Sequence, residues 1–187
     1  NLQPFVEVNP YKEPLAKAEQ FNALLSDEDQ RIDAVMNQDD MLSLIRDVNH
    51  DYLDLVEKKE LTKKQVDEYK EKLLIMEPFR TLELDMQKSL KYKYMKVRFG
   101  RVDVNYYKRL EKYLFDDLNA VFIEGIRNEN YVYGCYFVSN ADSSKVDSVF
   151  NSLHFERIAI PSEYIGTPEQ ACEELEKAIE EKQKEIA

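Results

Sequence analysis

The sequence predicts an α+β fold, a ferredoxin-like β-α-β-β-α-β lobe carried on helical arms. Three observations lead there. Residues 88–161 contain runs of strand and helix periodicity in the order β-α-β-β-α-β, the split βαβ arrangement. The stretches on either side are periodic at helical spacing. Glycine is scarce at 4 of 187 residues and proline numbers 6, which leaves little room for long loops, while 43% hydrophobic and 34% charged residues is the composition of a folded chain. That length buries one sizeable core, or one core with a helical extension. The expected division is a helical arm with an αα-hairpin packing on the lobe over residues 1–87, the lobe over 88–161, and the start of a coiled-coil helix over 162–187.

The formal net charge is -11, which gives no general attraction to nucleic acid or anionic membrane. It is unevenly spread. Residues 1–90 carry 20 acidic and 12 basic side chains, residues 91–166 carry 10 and 11, and residues 167–187 carry 7 and 3. The arms are acidic and the lobe nearly neutral. A basic run from Lys88 to Lys112 is either a solvated face or a docking surface for an acidic or helical protein. Cys135 and Cys172 are the only cysteines; a disulfide is open to them, but one lies in a strand pattern and one on a helical stripe, which favours two buried thiols. No apolar run approaches the roughly 20 residues that span a bilayer, and no signal peptide precedes the first helix. Beginning at Asn1 rather than Met, the chain has the look of an excised fragment.

Taken in order, residues 1–9 form an extended segment or short edge strand at most, because Pro4 and Pro10 flank Phe5, Val6 and Val8. Asn9-Pro10 is a helix start, followed by Leu15, Ala18, Phe21 and Leu25 at helical spacing. Residues 26–30 close that segment and cap a short helix through Ile32, Val35 and Met36. Residues 39–60 form a stronger helix with the stripe Met41, Leu44/Ile45, Val48, Tyr52 and Leu55/Val56. Thr62-Lys-Lys-Gln65 is a capping-box pattern that starts the next helix, with Val66, Tyr69, Leu73/Leu74 and Met76, ended by Pro78. The short connection between these two predicts an αα-hairpin over 39–77. Residues 79–90, with Leu82, Leu84 and Met86 at alternate positions, fit an extended segment or an irregular helix.

The lobe follows. Strand one covers residues 91–102, with Gly100 marking a bulge or a close approach. Asp103 caps a helix with the stripe Tyr106/Tyr107, Leu110, Tyr113/Leu114. Strand two covers 120–126, a hairpin turn 127–130, and strand three 131–138. Residues 139–142 cap a helix with Val146, Val149/Phe150 and Leu153. Strand four covers 154–160, ended by Pro161. Strand three is apolar on both faces, with Tyr131, Tyr133, Cys135 and Phe137 on one and Val132, Tyr136 and Val138 on the other. Helices cover one face of such a lobe, so the second face must be covered by the helices of residues 39–86 or by a partner. Thr167, Pro168 and Gln170 then start a helix with the stripe Ala171/Cys172, Leu175, Ala178/Ile179 and Ile186, the opening of a coiled-coil arm or a surface helix.

Reactive chemistry has little to stand on. No metal-ligand spacing occurs, the four cysteines and histidines lie far apart, and the pairs Asp39-Asp40 and Asp116-Asp117 do not converge on one helix face. His154 is the one base within the lobe, and no serine has an elbow context. Four isolated glycines make no phosphate cradle. No catalytic residue, cofactor or metal is expected, and the chain is not predicted to be an enzyme. An RNA-recognition module has the same topology and stacks bases on strands one and three. Residues 131–138 are faintly similar to that motif, but the acidic chain and the missing basic residue before Gly134 count against it.

Met95 to Arg101 (with Arg98-Phe99-Gly100), Tyr131 to Val138, His154-Phe-Glu-Arg-Ile158, Pro161 and Gly166-Thr-Pro-Glu169, in this order and followed by a charged coil, resemble the cytoplasmic N-terminal region of the large membrane subunit of rotary V-type and A-type ATPases. That subunit is called subunit I in bacteria and archaea and subunit a in eukaryotes. The resemblance is most specific over 90–187; Asn9-Pro-Tyr-Lys-Glu-Pro14 and the helices to Phe79 share it less sharply. It implies a distal α/β lobe at the cytoplasmic face of the membrane that anchors the foot of a peripheral stalk, a coiled-coil heterodimer of E and G type, so that the catalytic head does not turn with the rotor. It also implies that the remainder of subunit I, with its transmembrane half, carries the proton or sodium path, so that the lobe itself moves no ions and inserts in no membrane. Our own selection of stalk-contacting residues, which the resemblance does not supply, is Lys91, Lys93, Lys96, Arg98 and Arg101, with Tyr106 and Tyr107. A free-standing coiled-coil scaffold is the rival reading.

Overall fold

A computed structural model describes residues 9–24, 35–116, 118–161 and 163–186. The extended segment expected over 1–9, except Asn9, and the body of the short helix after residue 25 lie outside them. The chain divides into two compact units, Asn1–Leu61 and Thr62–Ala187.

In the first unit, α1 (Lys12–Leu24) begins where the Asn9-Pro10 signal places it. The Asn9 side chain accepts a hydrogen bond from the Tyr11 N–H at 3.0 Å. Residues 35–37 are irregular rather than helical. Asn37 then caps α2 (Gln38–Met76), its Oδ1 accepting from the Asp40 N–H at 2.8 Å. Phe21 of α1 meets Tyr52 of α2 edge-to-face at 5.6 Å.

The expected αα-hairpin does not form. α2 is one helix of 39 residues, and Thr62 sits inside it, buried, rather than at its start. The reason is local. Residues 57–65 contain no glycine or proline and are mostly Glu, Lys, Gln and Leu, all good helix formers, so nothing opens a turn. A capping box is only a start signal where the preceding residues leave the helix.

In the second unit, α2 ends at Met76 and passes into a single 3₁₀ turn (Glu77–Phe79) that holds Pro78. The uncertain stretch that follows is a short loop and a five-residue helix, α3 (Met86–Leu90), capped by Asp85, whose Oδ1 accepts from the Lys88 N–H at 2.9 Å. The lobe consists of β1 (Met95–Asp103), α4 (Val104–Asp116), β2 (Ala120–Arg127), β3 (Tyr131–Ser139), α5 (Ser143–Ser152) and β4 (Glu156–Arg157). Its four strands form one sheet in the order β2-β3-β1-β4, every neighbouring pair antiparallel. The chain closes with α6 (Pro168–Ile186). Here the predicted capping box is present: Thr167 N–H donates to Gln170 Oε1 at 3.0 Å and Gln170 N–H donates to Thr167 Oγ1 at 3.3 Å.

Two of the expected strands shorten. β1 begins at Met95 rather than at residue 91. The fourth strand, expected over 154–160, is a two-residue bridge. His154 causes this. It has φ 57°, and it is followed by a Phe155 N–H bond to Phe150 O, with its own N–H bonded to Asn151 O. Those are the two bonds of a Schellman cap, so His154 closes α5 in the left-handed conformation that usually calls for glycine. Gly100 marks a close approach: a Cβ there would lie 2.3 Å from Glu156 O and 2.5 Å from the Phe155 ring.

The sheet is buried on both faces. Val102, Tyr107, Leu110, Val132, Tyr136, Val138, Val146 and Phe150 form the core under α4 and α5. On the opposite face, Phe79 and Leu82 pack on Val97, Phe99 and Cys135, with Phe79 edge-on to Phe99 at 5.5 Å and to Tyr133 at 6.2 Å. The cover therefore comes from within residues 39–86, through the turn after α2 rather than through a helix. It reaches β2 at Gly125, which packs against Pro78 and Leu82, and leaves Val121 and Ile123 61% and 40% exposed. Met76, Met86, Ala171 and Cys172 form a third cluster that holds α6 to the end of α2.

Two stability measurements test this account. Gly100→Ala should lower the urea-unfolding free energy by about 2–3 kcal/mol, since the clash is with backbone. His154→Gly should leave it unchanged or raise it by up to about 1 kcal/mol, relief of the left-handed backbone offsetting a lost ring contact with Tyr106.

Candidate functional site: a basic surface on the lobe

The seven residues singled out from the sequence do not form one surface. Lys91 and Lys93 precede β1 and are exposed. The loop that carries them is tied down: Asn140 Nδ2 donates to Lys93 O at 2.8 Å, and Asn140 N–H donates to Tyr94 O at 3.0 Å. The Lys93 ammonium lies 5.4 Å from the Tyr94 ring centroid. Leu90, Tyr92, Tyr94 and Met95 beside them are all 42% exposed or more.

Alternation along β1 separates the others. Lys96 and Arg98 pair with Val138 and Tyr136 in the ladder, so they point to the side covered by α5. Lys96 Nζ donates to Ser143 Oγ at 3.1 Å. Arg101 points to the opposite side. Its guanidinium bonds Glu156 at 2.6 Å, reaches the Tyr133 hydroxyl at 3.5 Å and lies 4.1 Å from the Tyr131 ring centroid. Tyr106 is half-buried against His154, ring centroids 4.9 Å apart. Tyr107 is buried, and its hydroxyl donates to Glu124 Oε2 at 3.0 Å. Burial, then that neighbouring carboxylate, push the phenol up to about 12.

Sequence reasoning missed Asp147, Arg157 and Tyr136. Tyr136 OH donates to Asp147 Oδ1 at 2.7 Å, Arg157 lies 2.8 Å from Oδ2, and Arg98 lies 3.7 Å from the same oxygen. Burial raises the Asp147 carboxyl, but hydrogen bonds from Tyr136 and Arg157 and the charges of Arg157 and Arg98 outweigh it and hold the group below the usual carboxylate range. No spacing signal could have found this cluster, because its members come from β1, β3, α5 and β4.

A groove of about 610 Å³ is lined by Tyr133 and Arg101 together with Leu74, Pro78, Ile126 and Ile158. Among the described residues no group of three or more His, Cys, Asp or Glu could hold a metal ion. Both cysteines are free and buried, burial pushing Cys135 up to about 12 and Cys172 up to about 11, which makes them poor nucleophiles. The rings that a base-stacking sheet would need are taken: Phe99 and Tyr133 face Phe79. No described helix is long and apolar enough to cross a membrane.

No family model and no curated protein matches the chain. Among solved structures, the chain matches the crystal structure of the cytoplasmic N-terminal domain of subunit I, homolog of subunit a, of V-ATPase, over 100% of its own length with TM-score 0.53 and 14% identity. The chain shares the fold of that domain. It spans 63% of that structure's length.

Asp147→Asn should cost about 2 kcal/mol at pH 7 by urea unfolding, because it removes the charge that Tyr136 and Arg157 bond and that faces Arg98 at 3.7 Å. A lowered carboxylate contributes stability above its unfolded value and loses it as the pH falls through the folded one, so the gap between wild type and variant should close below about pH 4.

Proposed function

We propose that the chain is the cytoplasmic N-terminal lobe region of a subunit I-type large membrane subunit of a rotary V-type or A-type ATPase, and that it serves as a non-catalytic stator anchor. In this reading the ferredoxin-like lobe lies at the cytoplasmic face of the membrane and binds an E/G-type coiled-coil stalk. The stalk resists rotor torque, and the rest of the subunit carries the ion path. α6 opens a coiled-coil arm; its half-buried Ala178, Ile179 and Ile186 suit that role.

The observation that carries the reading is the fold likeness to the subunit I domain over the whole chain. It agrees with the sequence motifs of the lobe and with a structure built for stiffness, its sheet packed on both faces. Of the seven residues picked for the stalk, Lys91 and Lys93 are the most accessible, with exposed Tyr92 and Tyr94 between and beside them.

Titration calorimetry with a recombinant E/G-type heterodimer tests it. Binding should weaken at least fivefold on Lys91→Glu/Lys93→Glu. Absence of binding by the unaltered chain would refute the anchor role. A change within twofold for the double variant would remove these two lysines from the contact.

A further inference from the structure

The cluster around Asp147 is one carboxylate short. Lys96, Arg98 and Arg157 lie on the same side of the sheet. Lys96 and Arg98 are alternate residues of β1, and Arg157 pairs with Gly100, the next position in that row. Alternate strand residues are roughly 7 Å apart, so the three cations form a row along β1 and onto β4. Asp147 is the one acid that any of them contacts among the described residues. Its two oxygens are already engaged, Oδ1 by Tyr136 and Oδ2 by Arg157. Glu156 is turned to the other face with Arg101, and Asp142, at the start of α5, accepts from Ser139 and Asn119.

Arg98 carries the anomaly. Its terminal nitrogen stops 3.7 Å from Asp147, beyond hydrogen-bond distance, and its Nε is buried with no acceptor at all. A guanidinium has five donors in a rigid fork that matches a carboxylate edge. Leaving such a group without an acceptor is costly. The buried Nε itself is closed to solvent, but the side chain as a whole is 28% exposed and that of Arg157 43% exposed, so their outer nitrogens can be approached.

We infer that Arg98 and Arg157, with Lys96 beside them, form a docking point for a carboxylate side chain of an acidic protein segment. The charge balance argues for the occupant: three cations face one acid. Arginine argues for a carboxylate rather than a diffuse counter-ion, because the fork pairs with it bidentately. Given the proposed anchor role, on which this identification of the partner rests, the segment belongs to the stalk, and the contact lies on the α5 side of the lobe. Arg98 and Lys96 were selected from the sequence; Arg157 is new, and Arg101, Tyr106 and Tyr107 lie apart from this row.

The test uses the whole chain, ¹⁵N-labelled, with the arginine Nε–Hε signals followed by NMR. A peptide of ten glutamates is titrated against a peptide of ten glutamines, with inorganic phosphate as a third arm. The glutamate peptide should shift the Arg98 Nε–Hε signal saturably, and the glutamine peptide should not. Arg157→Gln should weaken the response about fivefold or more, because Asp147 is then free to take Arg98. Arg98→Lys, which keeps the charge and loses the fork, should weaken peptide binding at an unchanged urea midpoint. A saturable shift with phosphate alone would overturn the assignment to a protein carboxylate, as would an Arg98 signal unmoved by every arm. The stalk reading fails separately. If the E/G-type heterodimer binds the Arg98→Lys and Arg157→Gln chains as well as the unaltered one, the docking point is wrong and the anchor stands. If the peptide binds and the heterodimer does not, the anchor is wrong and the docking point stands.

Discussion

β3 is apolar on both sides, and the second unit depends on how those two sides are buried. Tyr136, Val132 and Val138 are sealed by α4 and α5, with Tyr136 stacked on Phe150 at 3.8 Å. Cys135 is sealed from the other side by Phe79 and Leu82. A fully buried large apolar side chain contributes about 1.5–3 kcal/mol, so neither face could be left open cheaply. The turn after α2 is thus part of the lobe's core, not a tether to it. The compact unit that holds the lobe accordingly includes the end of α2.

The double cover also accounts for the absence of a sheet-face binding platform. The groove beside the cover has apolar walls, but Arg101 and Glu156 within it satisfy each other, and Tyr133 is held between Arg101 and Phe79. Both thiols are buried with raised pKa values, and no convergent ligand set occurs among the described residues. What the surface offers is charge and exposed aromatic area at the entry to β1, and a row of cations on the α5 side.

Several elements were legible because their signals are local. The Thr167 cap states its own geometry through residues three apart. The stripes of α4 and α5 announce their buried faces, and Leu110, Val146 and Phe150 are each at most 1% exposed. The errors arose where a local pattern lacked its context. Thr62-Lys-Lys-Gln65 looks like a helix start, yet no breaker precedes it, and α2 runs through. His154 looked like the first residue of a strand, yet it closes α5. The site was the least legible part. Alternation along β1 sends neighbouring basic residues to opposite sides, so a run of charge in the sequence is not a patch in space.

By itself, the sequence determined the kind and order of the lobe's elements, the two-sided burial of β3 and the acidic arms beside a near-neutral lobe. Periodicity, capping and charge are properties of short stretches, which is why they survive without a structure. Only the tertiary structure decided which segment covers the second face and which cations are spent within the fold. It alone showed that Asp147 lies between Arg98 and Arg157. Those outcomes depend on groups brought together from distant positions, and no spacing along the chain encodes them.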